Sequence, residues 1–185
     1  MAVNTSVIDI RDEQVRLLVF HKSYGLLVGK NSESRSKNNP ELNNRYELFG
    51  GRVKKLEDSL DLPWPNKESI VEAGLREFVE ESGIPKSYVV DRALIASFPY
   101  TVSLKKEDLD WTIYAVRFIL EDSLGKKPID RYFDERLKKE NKKIVGMSFI
   151  RNYGGVNKLN LTDLTIKTIE HIKMYHKHAM PEFWG

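Results

Sequence analysis

A chain of 185 residues suits one domain with a substantial core, and 41% apolar with 31% charged residues is the composition of an ordinary soluble globular protein. The absence of Cys excludes disulfides and Cys-ligated zinc. The net charge of +3 is mild, with Lys and Arg interspersed among Asp and Glu, so no dedicated nucleic-acid surface is expected. No apolar run approaches the roughly 18 residues of a membrane span, and Met1-Ala2-Val3-Asn4-Thr5 carries no signal-peptide pattern. No membrane association and a cytoplasmic location are the resulting expectations.

Taken in order, residues 14–20 (QVRLLVF) and 25–30 (GLLVGK) read as two strands joined by His21-Lys22-Ser23-Tyr24. Residues 31–44, rich in Asn and Ser, read as an exposed loop. Residues 45–49 form a short strand ending in Gly50-Gly51, where the missing Cβ lets the backbone approach an ion or phosphate closely; a tight turn would also suit the pair. Residues 52–67 hold Lys54, Lys55, Glu57, Asp58, Asp61 and Trp64, the last flanked by Pro63 and Pro65. Trp64 either stacks on a nucleobase or pins this loop to the domain.

A helix is expected from Ser69 to Ser82. Ser69 followed by Glu72 is a capping box, and Gly83 before Pro85 is a stop signal. Val71, Leu75 and Phe78 share a core-facing side, while Ile70, Ala73, Gly74, Glu77, Glu80 and Glu81 fall on another. Carboxylates on adjoining turns repel, so this face is either solvated or built for a cation, with Ala73 and Gly74 leaving room for a bulky anion.

Beyond the helix, residues 87–98 and 111–120 read as strands linked by a charged connection at 101–110. Residues 128–143 look helical with Tyr132, Phe133 and Leu137 apolar, and residues 144–150 are a last strand. An amphipathic helix is expected over 161–178, with Leu161, Leu164, Thr168, Ile172 and Tyr175 in register, ending before Pro181. His171, His176 and His178 on this helix read as solvated. Pattern alone supports a mixed α/β single domain over 1–185.

Residues 68–84 place Glu68, Arg76-Glu77, Glu80-Glu81 and Gly83 in the register E-x7-R-E-U-x-E-E-x-G-U, where U is bulky and apolar. The five fixed residues from Arg76 to Gly83 should arise by chance roughly once per million positions. This stretch resembles the box of the Nudix hydrolases. The likeness departs from the family between Gly51 and Glu68, where residues 52–67 are eleven more than the family's five, and at Phe49, where the family has Pro.

The resemblance implies an α/β/α sandwich with a mixed central sheet. It implies cleavage of the pyrophosphate bond of a nucleoside diphosphate linked to another moiety, with Mg²⁺ or Mn²⁺ as cofactor. It carries Glu77, Glu81 and Gly51 over as metal ligands, and Glu80 as a further ligand or the group orienting the attacking water. Arg76 is expected to hold the carboxylates by pairing with Glu80 or Glu72, and Glu68 to support them. The base is open among Glu107, Asp108, Glu135 and Glu140, with Glu140 preferred for preceding the last strand. Pro99 lies where ADP-ribose pyrophosphatases carry a proline, and Tyr100 where dinucleoside polyphosphate hydrolases carry a tyrosine. The expected partner is therefore a small nucleotide-diphosphate molecule such as ADP-ribose or a nucleotide sugar, contacting Trp64, Pro99 and Tyr100. A dinucleoside polyphosphate hydrolase and a catalytically silent nucleotide sensor are the alternatives, and a homodimer is left open.

Overall fold

Strand β1 (Asp12–His21) is apolar on both faces, with Val15, Leu17 and Val19 on one and Leu18 and Phe20 on the other, as a central strand requires. The computed structural model of the protein describes residues 12–33, 42–54, 68–103, 108–138 and 143–185. Within them, β1 is flanked on one edge by β6 (Asp108–Leu120), in parallel register from Asp12↔Trp111 to Phe20↔Ile119. Its other edge is shared. β2 (Gly25–Asn31) pairs antiparallel with residues 19–21, then gives way to β4 (Gly50–Arg52), which pairs with residues 14–16. The Leu17 amide donates to the Phe49 carbonyl at 2.9 Å between the two. The glycine pair is thus delivered to the middle of β1.

The expected strand at 45–49 is two short pieces, β3 (Tyr46–Glu47) against β2 and β4 against β1, because the chain crosses from one partner to the other at Leu48-Phe49. β5 (Val89–Ser103) and β6 form a long hairpin, and β7 (Ile144–Ile150) adds antiparallel to β2. The charged connection expected at 101–110 is strand over its described residues, 101–103 and 108–110, since Thr101 pairs with Asp110 and donates its hydroxyl to that carboxylate at 2.8 Å. Charge at a hairpin end stays in water without ending the ladder.

Helix α1 (Ile70–Ser82) and α2 (Lys126–Leu137) cover one face of the sheet, which has seven strands among the described residues, and α3 (Asp163–Tyr175) covers the other. The architecture is an α/β/α sandwich around a mixed sheet. On the first side Phe78 of α1 stands edge-on to Phe49 and Phe118, at 5.8 and 6.1 Å between ring centroids. On the second, Ile169 and Ile172 of α3 pack with Leu18, Phe98 and Ile113.

Three helix expectations need correction. Ala73 and Gly74 leave no room for an anion: both are buried, and a Cβ on Gly74 would come within 2.7 Å of Leu17 Cδ2. They let α1 lie close on the sheet. Helix α2 occupies Lys126–Leu137 rather than 128–143, and α3 stops at Tyr175. Pro181 then opens a last short helix, α4 (Pro181–Trp184), a position where a missing amide costs nothing. Phe183 of α4 is buried edge-on against Phe20 at 5.4 Å. Leu161 lies before α3 in a bridge to Tyr46, and Tyr175 faces solvent.

Candidate active site

The caps of α1 fix where its carboxylates fall. Ser69 Oγ accepts from the Glu72 amide at 3.2 Å, and Gly83 adopts φ 75° while its amide donates to the Val79 carbonyl. Gly83 is required twice over, since a Cβ there would also sit 2.6 Å from the Tyr132 carbonyl oxygen. With the helix so framed, Glu77 and Glu81 turn inward beside β4 and are only 4% and 2% exposed. Glu81 Oε2 accepts from the Gly50 amide at 3.0 Å. A Cβ on Gly51 would lie 2.4 Å from the Glu77 carboxylate, so Glu77 occupies the space that only glycine leaves.

Arg76 gathers the remaining acids. Its Nε and Nη2 donate to Glu68 Oε2 and Oε1 at 3.1 and 2.6 Å, and Nη1 donates to Glu77 Oε1 at 2.6 Å. Nη2 also donates to the Arg52 carbonyl at 3.0 Å, tying the helix to the end of β4. Glu80 stands further off, 3.7 Å from Nη1 and 53% exposed, and Glu72 faces Arg92 instead. The expected pairing of Arg76 with Glu72 or Glu80 is therefore secondary to Glu68, which the chain before the helix brings back alongside it. Hydrogen bonds donated to Glu68, and then to Glu77, hold the Arg76 guanidinium protonated against the cost of burial and raise its pKa. Burial pushes the Glu68 carboxyl upward, but bonds from Arg76 and the Lys54 amide outweigh it and leave the carboxyl below its usual value.

A cation already approaches the inner pair. Lys143 Nζ lies 3.4 Å from Glu77 Oε2 and 3.7 Å from Glu81 Oε1. Among the described residues no three His, Cys, Asp or Glu side chains are gathered for a metal ion. Two buried carboxylates beside the glycine pair of β4 still suit a hard cation such as Mg²⁺, which keeps several waters and takes its other oxygens from phosphate. The donor set fits that ion and would not fit a soft metal.

Other expected site residues lie elsewhere. Tyr100 packs with the α3-side cluster and Lys167 stands 4.9 Å over its ring, on the opposite side of the sheet from α1. Pro99 is exposed on β5, and Glu135 is exposed on α2. Trp64, Glu107 and Glu140 lie outside the described residues, as does the side chain of Asp108. The histidines expected on one helix are divided, His171 on α3 and His176 and His178 beyond its end, and not all are solvated: His171 stacks on Phe98 at 4.4 Å, and burial, with His176 nearby, lowers its pKa.

Lys143 and Arg136 carry no signal in the local sequence. Arg136 of α2 is buried and donates to the Glu80 carbonyl at 2.9 Å and to the Ile144 carbonyl at 3.0 Å. It fastens the end of α1 to the start of β7, where Lys143 sits. Gln14 and Arg16, buried side by side on β1 with 3.2 Å between Gln14 Oε1 and Arg16 Nη2, could have been noticed as polar positions in an otherwise apolar strand.

No family model and no curated protein matches the chain. Solved structures do. The NUDIX domain of Shewanella oneidensis NrtR, complexed with ADP ribose, is 10% identical with a TM-score of 0.54 over 89% of this chain and 87% of that one. A NUDIX hydrolase from Nitrosomonas europaea is 14% identical with a TM-score of 0.54, over 94% and 92% of the two chains. The MutT protein from Methanosarcina mazei Go1 is 17% identical with a TM-score of 0.56, over 93% of this chain and 99% of its own. At these identities the likeness is one of architecture, and in architecture it spans nearly the whole chain: the protein has the Nudix fold.

Proposed function

We propose that the protein is a metal-dependent hydrolase of the pyrophosphate bond in a nucleoside diphosphate joined to a second group, with ADP-ribose or a nucleotide sugar as the leading substrate class. The observation that carries this reading is the buried pair Glu77 and Glu81, set against Gly50-Gly51 and already drawing a cationic side chain. The box register and the ADP ribose bound to the similar NrtR domain support it.

Glu77 and Glu81 would hold Mg²⁺ or Mn²⁺. When bound, such an ion supplies charge for the phosphate oxygens and acidifies a coordinated water. Arg76 and Glu68 fix the Glu77 carboxylate, so its orientation is set before substrate arrives. Glu80, exposed at the rim one turn from Glu77, would accept a hydrogen bond from the attacking water. Water then attacks one phosphorus, the bridging P–O bond breaks, and two phosphate-bearing fragments leave. Glu140 is the proposed base for that water's proton.

The test is a hydrolysis panel with Mg²⁺ or Mn²⁺: ADP-ribose, nucleotide sugars, dinucleoside polyphosphates, NADH, deoxynucleoside triphosphates and capped RNA. The expected outcome is metal-dependent turnover strongest on ADP-ribose or a nucleotide sugar. Metal-independent nucleotide binding with no turnover on any of them would replace the enzyme by a sensor.

A further inference from the structure

Two carboxylates enclosed on adjoining turns repel each other, and the repulsion grows as water is excluded. Glu77 and Glu81 are in that position, yet Lys143 reaches both from far along the chain, at 3.4 and 3.7 Å. Its backbone is fixed: the Lys143 carbonyl accepts from the Ser32 amide at 2.9 Å, and the next carbonyl, of Ile144, accepts from Arg136 at 3.0 Å. Its side chain is not enclosed. At 50% exposed, the ammonium has an open way into solvent on a flexible four-carbon stem.

We propose that Lys143 is a tethered counter-cation, lying between Glu77 and Glu81 in the metal-free protein and displaced when a divalent ion binds. This rests on the reading of those two residues as metal ligands. With Arg76 already donating to Glu77 Oε1 at 2.6 Å, the Lys143 ammonium is the cation that faces both carboxylates at once, and a doubly charged ion with shorter bonds to oxygen outcompetes it. Lys143 thereby sets the metal concentration at which the site fills. It also stabilises the helix–sheet contact when metal is scarce.

The experiment titrates Mn²⁺ into metal-free protein and follows free Mn²⁺ by electron paramagnetic resonance, with thermal melting of the same metal-free samples. Lys143→Met should bind Mn²⁺ about tenfold tighter, because the ion no longer displaces an ammonium, and its metal-free form should melt earlier. Lys143→Arg keeps the charge and should bind near the wild-type affinity. Lys167→Met, a surface charge on α3, should leave the affinity unchanged and so exclude an effect of net charge. Equal or weaker binding by Lys143→Met, or equal tightening by Lys167→Met, would overturn the role of Lys143 while the metal site stands. Wild-type protein that binds no Mn²⁺ would overturn both.

Discussion

At the scale of single residues, Gly51 and Glu68 divide function from stability. A methyl group on Gly51 would meet the Glu77 carboxylate at 2.4 Å, and that carboxylate is the far end of a flexible side chain. Gly51→Ala should therefore displace Glu77 rather than unfold the protein. The expected outcome is a near-normal melting temperature with activity down by at least about a hundredfold, the usual cost of losing one preorganised charge contact. Glu81→Gln should do the same through kcat more than KM, measured by steady-state kinetics on whichever substrate the panel identifies. Glu68→Gln is the reverse case. It removes the charge and turns one of the two acceptors of the Arg76 fork into a donor, and should cost about 2 kcal/mol at neutral pH, read by denaturant unfolding. The sign in pH follows from the lowered Glu68 pKa: its contribution is complete above the ordinary glutamate value and fades as pH falls through the lower, folded-state value. Wild type and variant should converge in acid.

At the scale of elements, the bounds of α1 were legible because the signals that set them are local. The cap Ser69, the stop Gly83 and the buried Leu75 and Phe78 sit where spacing puts them. The register of its acids was legible too, but their separation into an enclosed pair and an outlying Glu80 was not, because β4 and not the helix decides which acids lose their water. The same limit applies to Arg76, whose main partner precedes the helix, and to α3, where Thr168 and Ile172 are buried as their register implies but Thr165 is buried as well. His171 on α3 shows what such packing does to chemistry. Stacked on Phe98, it has a lowered pKa, so the folded state disfavours its protonation and stability is lost as pH falls through its ordinary value near 6.5. His171→Phe should keep the stack and remove that loss, raising the melting temperature more at pH 5 than at pH 8.

At the scale of the whole molecule, the candidate site joins parts of the chain that no local pattern connects: β4, the end of α1, and the first residues of β7 tied to α2 through Arg136. A ligand that bridges such parts stabilises the fold as a unit, because the unfolded chain offers no equivalent site. If Glu77 and Glu81 hold Mg²⁺, free ion at about 100 times its Kd should add about 2.7 kcal/mol. For a domain of this size that is a rise in melting temperature of roughly 5–10 °C, fully reversed by a chelator. Glu77→Gln and Glu81→Gln should lose the rise, because each removes one of the two carboxylates facing the ion. Glu135→Gln, exposed on α2, should keep it. Calcium and magnesium compared at equal concentration then test the geometry. Only two side-chain carboxylates favour the small octahedral ion that retains water, so Mg²⁺ or Mn²⁺ should give the larger rise. An equal rise in both carboxylate variants would place the ion elsewhere and withdraw the metal role from α1.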